Sequence, residues 1–163
     1  MSRAVLSLGS NLGDRMGYLR LAVDALRDVL VAVSSVYETE PWGVTDQPDF
    51  LNAVCVVDDP ERDHWAWLRT ARELERRAER VRERRWGPRT LDVDVVTVDG
   101  VRSDHPDLLL PHPGTHERAT VLVPWLEIDP DAEVPGKGRA DELLAALPEA
   151  DRAGVRLRAD LTF

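Results

Sequence analysis

Hydrophobic residues recur along the chain with two periods, one typical of strands and one typical of helices. The largely apolar residues 4–9 predict a buried strand, and an apolar stripe from Leu19 to Leu30 at helical spacing predicts the first helix. Residues 32–37 and 51–57 predict two further strands, joined by a loop rich in proline, glycine and aspartate. The first third of the chain is therefore predicted as strand, helix, strand, strand.

The same pattern predicts one more helix and one more strand. Asp59 and Pro60 suit the cap and first position of a helix whose apolar stripe ends near Glu79. A basic loop follows, then a strand over residues 90–98, and Asp99-Gly100 predicts a hairpin turn after it.

This order of elements predicts an α+β fold of the ferredoxin-like kind. Such a fold has an antiparallel sheet with two main helices on one face, and its long loops are the natural place for an active site. A chain of 163 residues has the length of about one domain, so we expect a single domain over residues 1–163.

Composition narrows the function classes. A net charge of -9 and strands that are aliphatic or acidic argue against a nucleic-acid-binding module. No apolar run approaches the roughly 18 residues of a membrane span, so we expect no membrane partner. The single cysteine, Cys55, lies in an apolar run and favours a reducing, cytoplasmic location.

One segment departs from the acidic average. Nine arginines and four glutamates lie between Arg69 and Arg89. Those of residues 69–77 are explained by a solvated helix face with Glu–Arg pairs. The later ones fall beyond the helical pattern, where Gly and Pro fix the backbone, and are suited to phosphate oxygens: Arg80, Arg82, Arg85 and Arg89.

Two alternating aspartates follow this basic segment. Asp92 and Asp94 point to the same side of the predicted strand, which fits either a solvated outer face or a magnesium site. Next to the arginines, they favour a polyphosphate held with magnesium, although a two-metal phosphohydrolase could use the same groups. His112 and Arg118 form a further candidate pair, although a histidine between prolines is more often structural.

Aromatic residues in polar surroundings form the last candidate group. Trp42, Phe50 and Trp86 lie in turn-rich stretches, where they either pack a loop on the core or sandwich a flat heterocycle. Asn52, at the start of the next strand, offers an amide donor and acceptor for such a ring.

Four segments together resemble a known family. GSNLGD, SSVYETEPWGVTDQPDFLN, RVRERRWGPRTLDVDVV and LPHPGTHERATVLVPWLEIDP are similar, in order and spacing, to those of 6-hydroxymethyl-7,8-dihydropterin pyrophosphokinases. The resemblance implies transfer of the β,γ-pyrophosphoryl group of ATP to the hydroxymethyl group of the dihydropterin, giving AMP, in folate biosynthesis. It also implies two Mg²⁺ ions. Separately, we expect the protein to be a monomer.

The resemblance further implies roles for individual residues. Asp92 and Asp94 would hold the metal ions, and Arg80 and Arg89 would be catalytic. The residues implied in ATP binding are Glu75, Arg80, Arg82, Trp86, Arg89, Val95, His112 and Arg118. The residues implied in pterin binding are Thr39, Trp42, Gly43, Phe50, Asn52 and Trp86. Thr120 stands where this family commonly has an aromatic residue that stacks on the pterin.

Overall fold

A computed structural model describes residues 2–40, 48–82 and 90–163, with only the backbone at residues 80–82. The described strands are β1 Arg3–Ser10, β2 Leu30–Val33, β3 Tyr37–Thr39, β4 Phe50–Asp58, β5 Asp92–Val98, β6 Ser103–His105, β7 Leu108–Leu110, β8 Glu133–Val134, β9 Gly138–Arg139 and β10 Arg156–Leu157. Six of them form the main sheet, with β1 between β4 and β5, β3 beside β4, β10 at the edge next to β3, and β2 also paired with β4. β6 pairs with β7 and β8 pairs with β9 in two small ribbons.

Helices cover both faces of the main sheet. The described helices are α1 Arg15–Ala25, α2 His64–Arg82, α3 Ala119–Ile128, α4 Ala140–Ala145 and α5 Glu149–Ala153. The antiparallel α+β fold is as expected, with α1 and α2 on one face. The hydrophobic pattern of the sequence did not predict that α3 would pack against the other face.

Strand alternation explains the two layers of core. On β1, Leu6 and Leu8 pack with α1 and α2, while Val5 points to the opposite face and packs with α3 residues such as Leu122. The face under α3 is apolar only over part of each strand, because further along β1 it carries Ser7 and Gly9 instead. That polar part of the sheet is left for a site.

The start and end of α2 differ from the expectation. The helix begins at His64, because the carboxylate of Asp63 accepts a hydrogen bond from the Ala66 amide at 2.8 Å and caps it. Asp59 instead closes a turn before the helix. At the other end the helix runs to Arg82, since arginine is a good helix former and no glycine or proline intervenes.

The strand expected over residues 32–37 is interrupted. Ser34 donates its amide to the Val54 carbonyl and accepts the Val54 amide on its own hydroxyl, both at 2.9 Å. The next amide, at Ser35, binds the carboxylate of Glu127 from α3. Side chains therefore replace part of the strand ladder, and two short strands result.

The turn at Asp99-Gly100 is present, but it does not extend the sheet. A single bridge joins Val98 to Val101, and the chain then leaves for the β6–β7 ribbon. Among the described residues, no helix combines the length and apolar character needed to cross a membrane. The extent of the domain, residues 1–163, stays a prediction.

Candidate active site

Residues from three adjacent strands form the floor of one cavity. Strand register places Gly9 of β1 opposite both Asn52 of β4 and Asp92 of β5, and places Ser7 opposite Asp94. All five line a cavity of about 930 Å³ on the face away from α1 and α2. The polar part of the sheet is thus the floor of the site.

The two aspartates project into this cavity as expected from the strand period. Leu91 and Val93 are buried on the α1–α2 face, whereas Asp92 and Asp94 line the cavity. Val95 is only 3% exposed and lies in the same core, so any contact with ATP must come from its backbone.

His112 and Arg118 lie next to Asp94. The distances from the Asp94 carboxylate are 3.6 Å to His112 Nε2 and 3.9 Å to Arg118 Nη1. The His112 amide donates to the Val96 carbonyl at 2.8 Å, which holds this segment on β5. A left-handed turn at Gly114, with φ of 76°, then leads towards Arg118 and α3. Residues distant in sequence therefore meet at one acidic group.

Glu75 approaches the aspartates from the other side of their strand. Its carboxylate Oε2 accepts the Val93 amide at 3.0 Å, between the two aspartates in sequence. β5 is the last strand of the sheet, so this contact satisfies an amide on its outer side. Glu75 thus fixes the strand that carries the carboxylates, and its role in ATP binding stays a prediction.

Thr39, Phe50 and Asn52 lie together on the β3–β4 side of the cavity, whereas Asp92 and Asp94 lie on its β5 side. Asn52 Nδ2 donates to Thr39 Oγ1 at 2.7 Å, which orients the amide. Gly9 leaves room for that amide, because a Cβ there would lie 3.1 Å from Asn52 Oδ1. These three predicted pterin-binding residues are therefore brought together, and their role stays a prediction.

An ion cluster supports the strand that carries Thr39. Glu38 binds Arg15 of α1 at 2.8 Å and Arg158 at 3.1 Å. The hydrogen bond from Arg15 is the main reason why the pKa of Glu38 is lowered. On the other side, burial and a 2.6 Å hydrogen bond to Glu127 raise the pKa of Tyr37, so this hydroxyl stays protonated.

Several cavity residues were not expected from the sequence. Ser7 and Gly9 could have been found, since they alternate with Leu6 and Leu8 on β1. The C-terminal residues 150–151 and 153–156 also line the cavity, and no motif marks them. Thr120, which the resemblance had already placed near the pterin, lines the cavity from the second position of α3.

Part of the predicted site cannot be placed. Trp42, Gly43, Trp86 and Arg89 lie outside the described residues, as does Arg85. The backbones of Arg80 and Arg82 lie in the last turn of α2, and their side chains are likewise outside the described part. Their expected roles stay predictions.

The donor set of the cavity fits magnesium better than a transition metal. In the described ranges no three His, Cys, Asp or Glu side chains form a group that could hold a metal ion. Asp92 and Asp94 offer two carboxylates, which suits Mg²⁺ because this ion takes few protein ligands and keeps waters and phosphate oxygens.

Comparison of the sequence with known proteins finds relatives that match most of the chain. The chain is 52% identical to the 2-amino-4-hydroxy-6-hydroxymethyldihydropteridine pyrophosphokinase of Mycobacterium leprae, covering 96% of this chain and 89% of the relative. Identity to the protein of the same name in Mycobacterium tuberculosis H37Rv is 48%, over 96% of this chain and 90% of the relative.

Solved structures agree on the fold alone. Wild-type Plasmodium falciparum HPPK-DHPS with pteroate superposes with a TM-score of 0.68 at 12% identity, and the match covers 88% of this chain. The chain spans only 44% of that longer chain. The model of the 7,8-dihydro-6-hydroxymethylpterin-pyrophosphokinase family, HPPK, matches residues 5–130, most of the sequence. The chain therefore belongs to the 7,8-dihydro-6-hydroxymethylpterin-pyrophosphokinase family.

Proposed function

We propose that this chain takes its pyrophosphoryl group from ATP and that two magnesium ions assist the transfer. The chain is a pyrophosphokinase, which transfers a pyrophosphoryl group to 6-hydroxymethyl-7,8-dihydropterin in folate biosynthesis. The side chains that line the cavity support ATP as the donor, magnesium as the metal and the roles of individual residues given below.

The observation that carries the proposal is the register across β4, β1 and β5. Asn52 and Asp92 lie on either side of Gly9, so their backbones are two strand spacings apart, about 10 Å. A pterin held at Asn52 could therefore extend its hydroxymethyl group along the floor towards phosphates held near Asp92. Proximity of this kind supplies much of the rate in phosphoryl transfer.

At the acidic end, Asp92 and Asp94 would hold the metal ions through carboxylate oxygens. Magnesium, when bound, neutralises phosphate charge and polarises the attacking hydroxyl. Arg118 is 43% exposed and 3.9 Å from Asp94, so its guanidinium can turn to phosphate oxygens. His112 offers a further donor on the same side.

We propose that the arginines of the basic segment also act on the phosphates. Arg80 and Arg89 would stabilise the charge of the transferring group, and Arg82, Trp86 and Glu75 would contact the nucleotide. An Arg89→Ala variant should lose much more turnover than ATP affinity, because its role is in the transition state. Equal losses of both would contradict that role.

At the other end, Phe50 would pack on one face of the pterin. The amide of Asn52, oriented by its 2.7 Å hydrogen bond to Thr39, would pair with the polar edge of the ring. Trp42, Gly43 and Trp86 are proposed to close the pterin site.

The test measures AMP and pterin diphosphate after incubation with ATP, magnesium and 6-hydroxymethyl-7,8-dihydropterin. The proposal expects the two products in equal amounts and no ATP consumption without the pterin. ADP as the nucleotide product, or ATP hydrolysis without the pterin as in a phosphohydrolase, would contradict it. Omission of magnesium should abolish turnover.

Asp94→Asn tests the metal assignment, and Asp104→Asn is its matched control. Loss of one carboxylate from the cavity should lower kcat by roughly a hundred-fold or more. Asp104 is an exposed aspartate of the separate β6–β7 ribbon, so its variant should keep full activity. Equal activity of the two variants would remove Asp94 from the metal site.

Cellular location and assembly remain proposals. We propose a cytoplasmic protein, since the one cysteine is buried and free, as expected in a reducing compartment. We also propose that the protein is a monomer. Light scattering, which measures the molar mass in solution, tests whether the protein is a monomer.

A further inference from the structure

The C-terminal segment forms one side of the cavity. Small side chains line it at Ala150 and Ala153, followed by Gly154, and Val155 is the largest apolar side chain that this segment presents. Phe50 and Thr120 line the same cavity. Small and aliphatic side chains of this segment, next to the charged Asp151 and Arg156, thus share one space with an aromatic ring.

Phe50 is the one aromatic side chain among the described residues that line this cavity. Thr120, at the second position of α3, presents a short polar side chain, which cannot stack on a ring. A flat heteroaromatic ring packed on Phe50 presents a second face, which an apolar side chain can cover. Among described residues, Val155 is the branched aliphatic side chain of the cavity.

The pairing of β10 with β3 brings Val155 to the cavity. Leu157 pairs with Tyr37, and Arg156 pairs with Glu38. Val155 directly precedes β10, so this antiparallel pairing leads it towards Thr39 on β3. Both Val155 and Thr39 line the cavity.

Ion pairs and a hydrogen bond just after Val155 hold the segment in place. Arg156 binds Asp49, the residue before Phe50, at 2.9 Å. Arg158 binds Glu38 at 3.1 Å, and its amide donates to the Val36 carbonyl at 2.8 Å. A wall fixed in this way can select a ligand by shape, because it cannot withdraw without breaking these contacts.

We propose that Val155 forms the second wall of the pterin pocket, packing on the ring face opposite Phe50, and that residues 150–155 set the width of that pocket. The inference rests on the proposed placement of the pterin at Phe50 and Asn52. An aliphatic wall holds a ring by dispersion and burial without the preference for stacked geometry that a second aromatic would give. Val155 is therefore a specificity-determining residue for the acceptor.

Val155→Ala tests the wall, with Leu157→Ala as the matched control. Removing two methyl groups should raise KM for the pterin about three- to ten-fold and leave KM for ATP unchanged. Leu157 lies on the same strand and side but is 56% exposed and does not line the cavity, so its variant should keep the wild-type KM. Val155→Ile, which retains the apolar wall, should stay close to wild type.

Thr120→Phe tests whether the same ring face is available from α3. The new ring should lower KM for the pterin about three- to ten-fold by stacking. In that background Val155→Ala should cost clearly less than in the wild type, because both side chains serve one face. Strict additivity of the two changes would overturn the proposal.

Failure of this inference can be separated from failure of the proposed function. If the wild type forms AMP with the pterin but Val155→Ala and Leu157→Ala give equal KM values, only the wall is refuted. If the wild type shows no pterin-dependent AMP formation, the proposed function fails first. A parallel rise in the KM values for both substrates in Val155→Ala would show a general distortion and would also refute the wall.

Discussion

Gly9 is the position where one added methyl group should separate binding from stability. It lies near the end of an interior strand, between Asn52 and Asp92. A Cβ at this position would lie 3.1 Å from Asn52 Oδ1 and 3.7 Å from Phe50 Cδ1. The first distance is shorter than an ordinary van der Waals contact, so the Gly9→Ala variant must displace the Asn52 amide.

The cost of this displacement follows from the hydrogen bond that holds the amide. Ordinary contact begins at 3.4 Å, so Oδ1 must move by about 0.3 Å in Gly9→Ala. Because Asn52 Nδ2 is 2.7 Å from Thr39 Oγ1, the movement strains that bond. Loss of the proposed hydrogen bond from Asn52 to the pterin would cost about 1–1.5 kcal/mol, or about five- to thirteen-fold in binding.

The free energy of unfolding should not fall in Gly9→Ala, although pterin binding weakens. Glycine in a strand interior is less favourable than alanine by about 0.5–1 kcal/mol, because its unfolded chain has more freedom. This gain offsets the strain around the Asn52 amide in Gly9→Ala. The free energy of unfolding should therefore be unchanged or slightly higher while KM for the pterin rises.

Urea denaturation and steady-state kinetics with each substrate check this prediction. Gly100→Ala is the control with the reverse signature: its turn has a φ of 73° and open space, so alanine there should cost about 1 kcal/mol of stability and leave both KM values alone. A Gly9→Ala variant with wild-type KM for the pterin would refute the view that Gly9 keeps the amide in place.

Three further outcomes are expected. Glu75→Ala should lower the free energy of unfolding by about 1–2 kcal/mol, measured in urea, because the Val93 amide loses its charged acceptor; an unchanged value would contradict the contact. Glu38→Gln should destabilise by about 1–2 kcal/mol at pH 7 through the lost pairing with Arg15. Since the folded pKa of Glu38 lies below the ordinary 4.5, its contribution is complete above pH 4.5 and is lost as pH falls through the folded value. The two proteins should then have converging stabilities in acid, and a constant difference would refute this. Burial raises the pKa of Cys55 to about 12, so a thiol reagent at pH 8 should react only after unfolding; rapid reaction of the native protein would contradict its burial.

Local pattern was enough to predict most of the main sheet and its first two helices. The β1 strand followed from its apolar run, and the projection of Asp92 and Asp94 to one side of β5 followed from a period of two. The limits of α2 did not follow, because Asp59 and Asp63 are both good caps and only the packed structure selects between them. The split of the second strand likewise depended on Glu127, a residue distant in sequence.

The candidate site, like the fold, could be predicted from the sequence only in part. Sequence alone determined which chemical groups this chain carries and in what order: acidic residues on a strand, arginines before it, an asparagine after an aromatic. Only the tertiary structure decided that Asn52, Gly9 and Asp92 form one row, because strand register depends on pairing between segments far apart in sequence. It also brought Val155 into the cavity, since β10 docks on β3 through contacts that no local motif encodes.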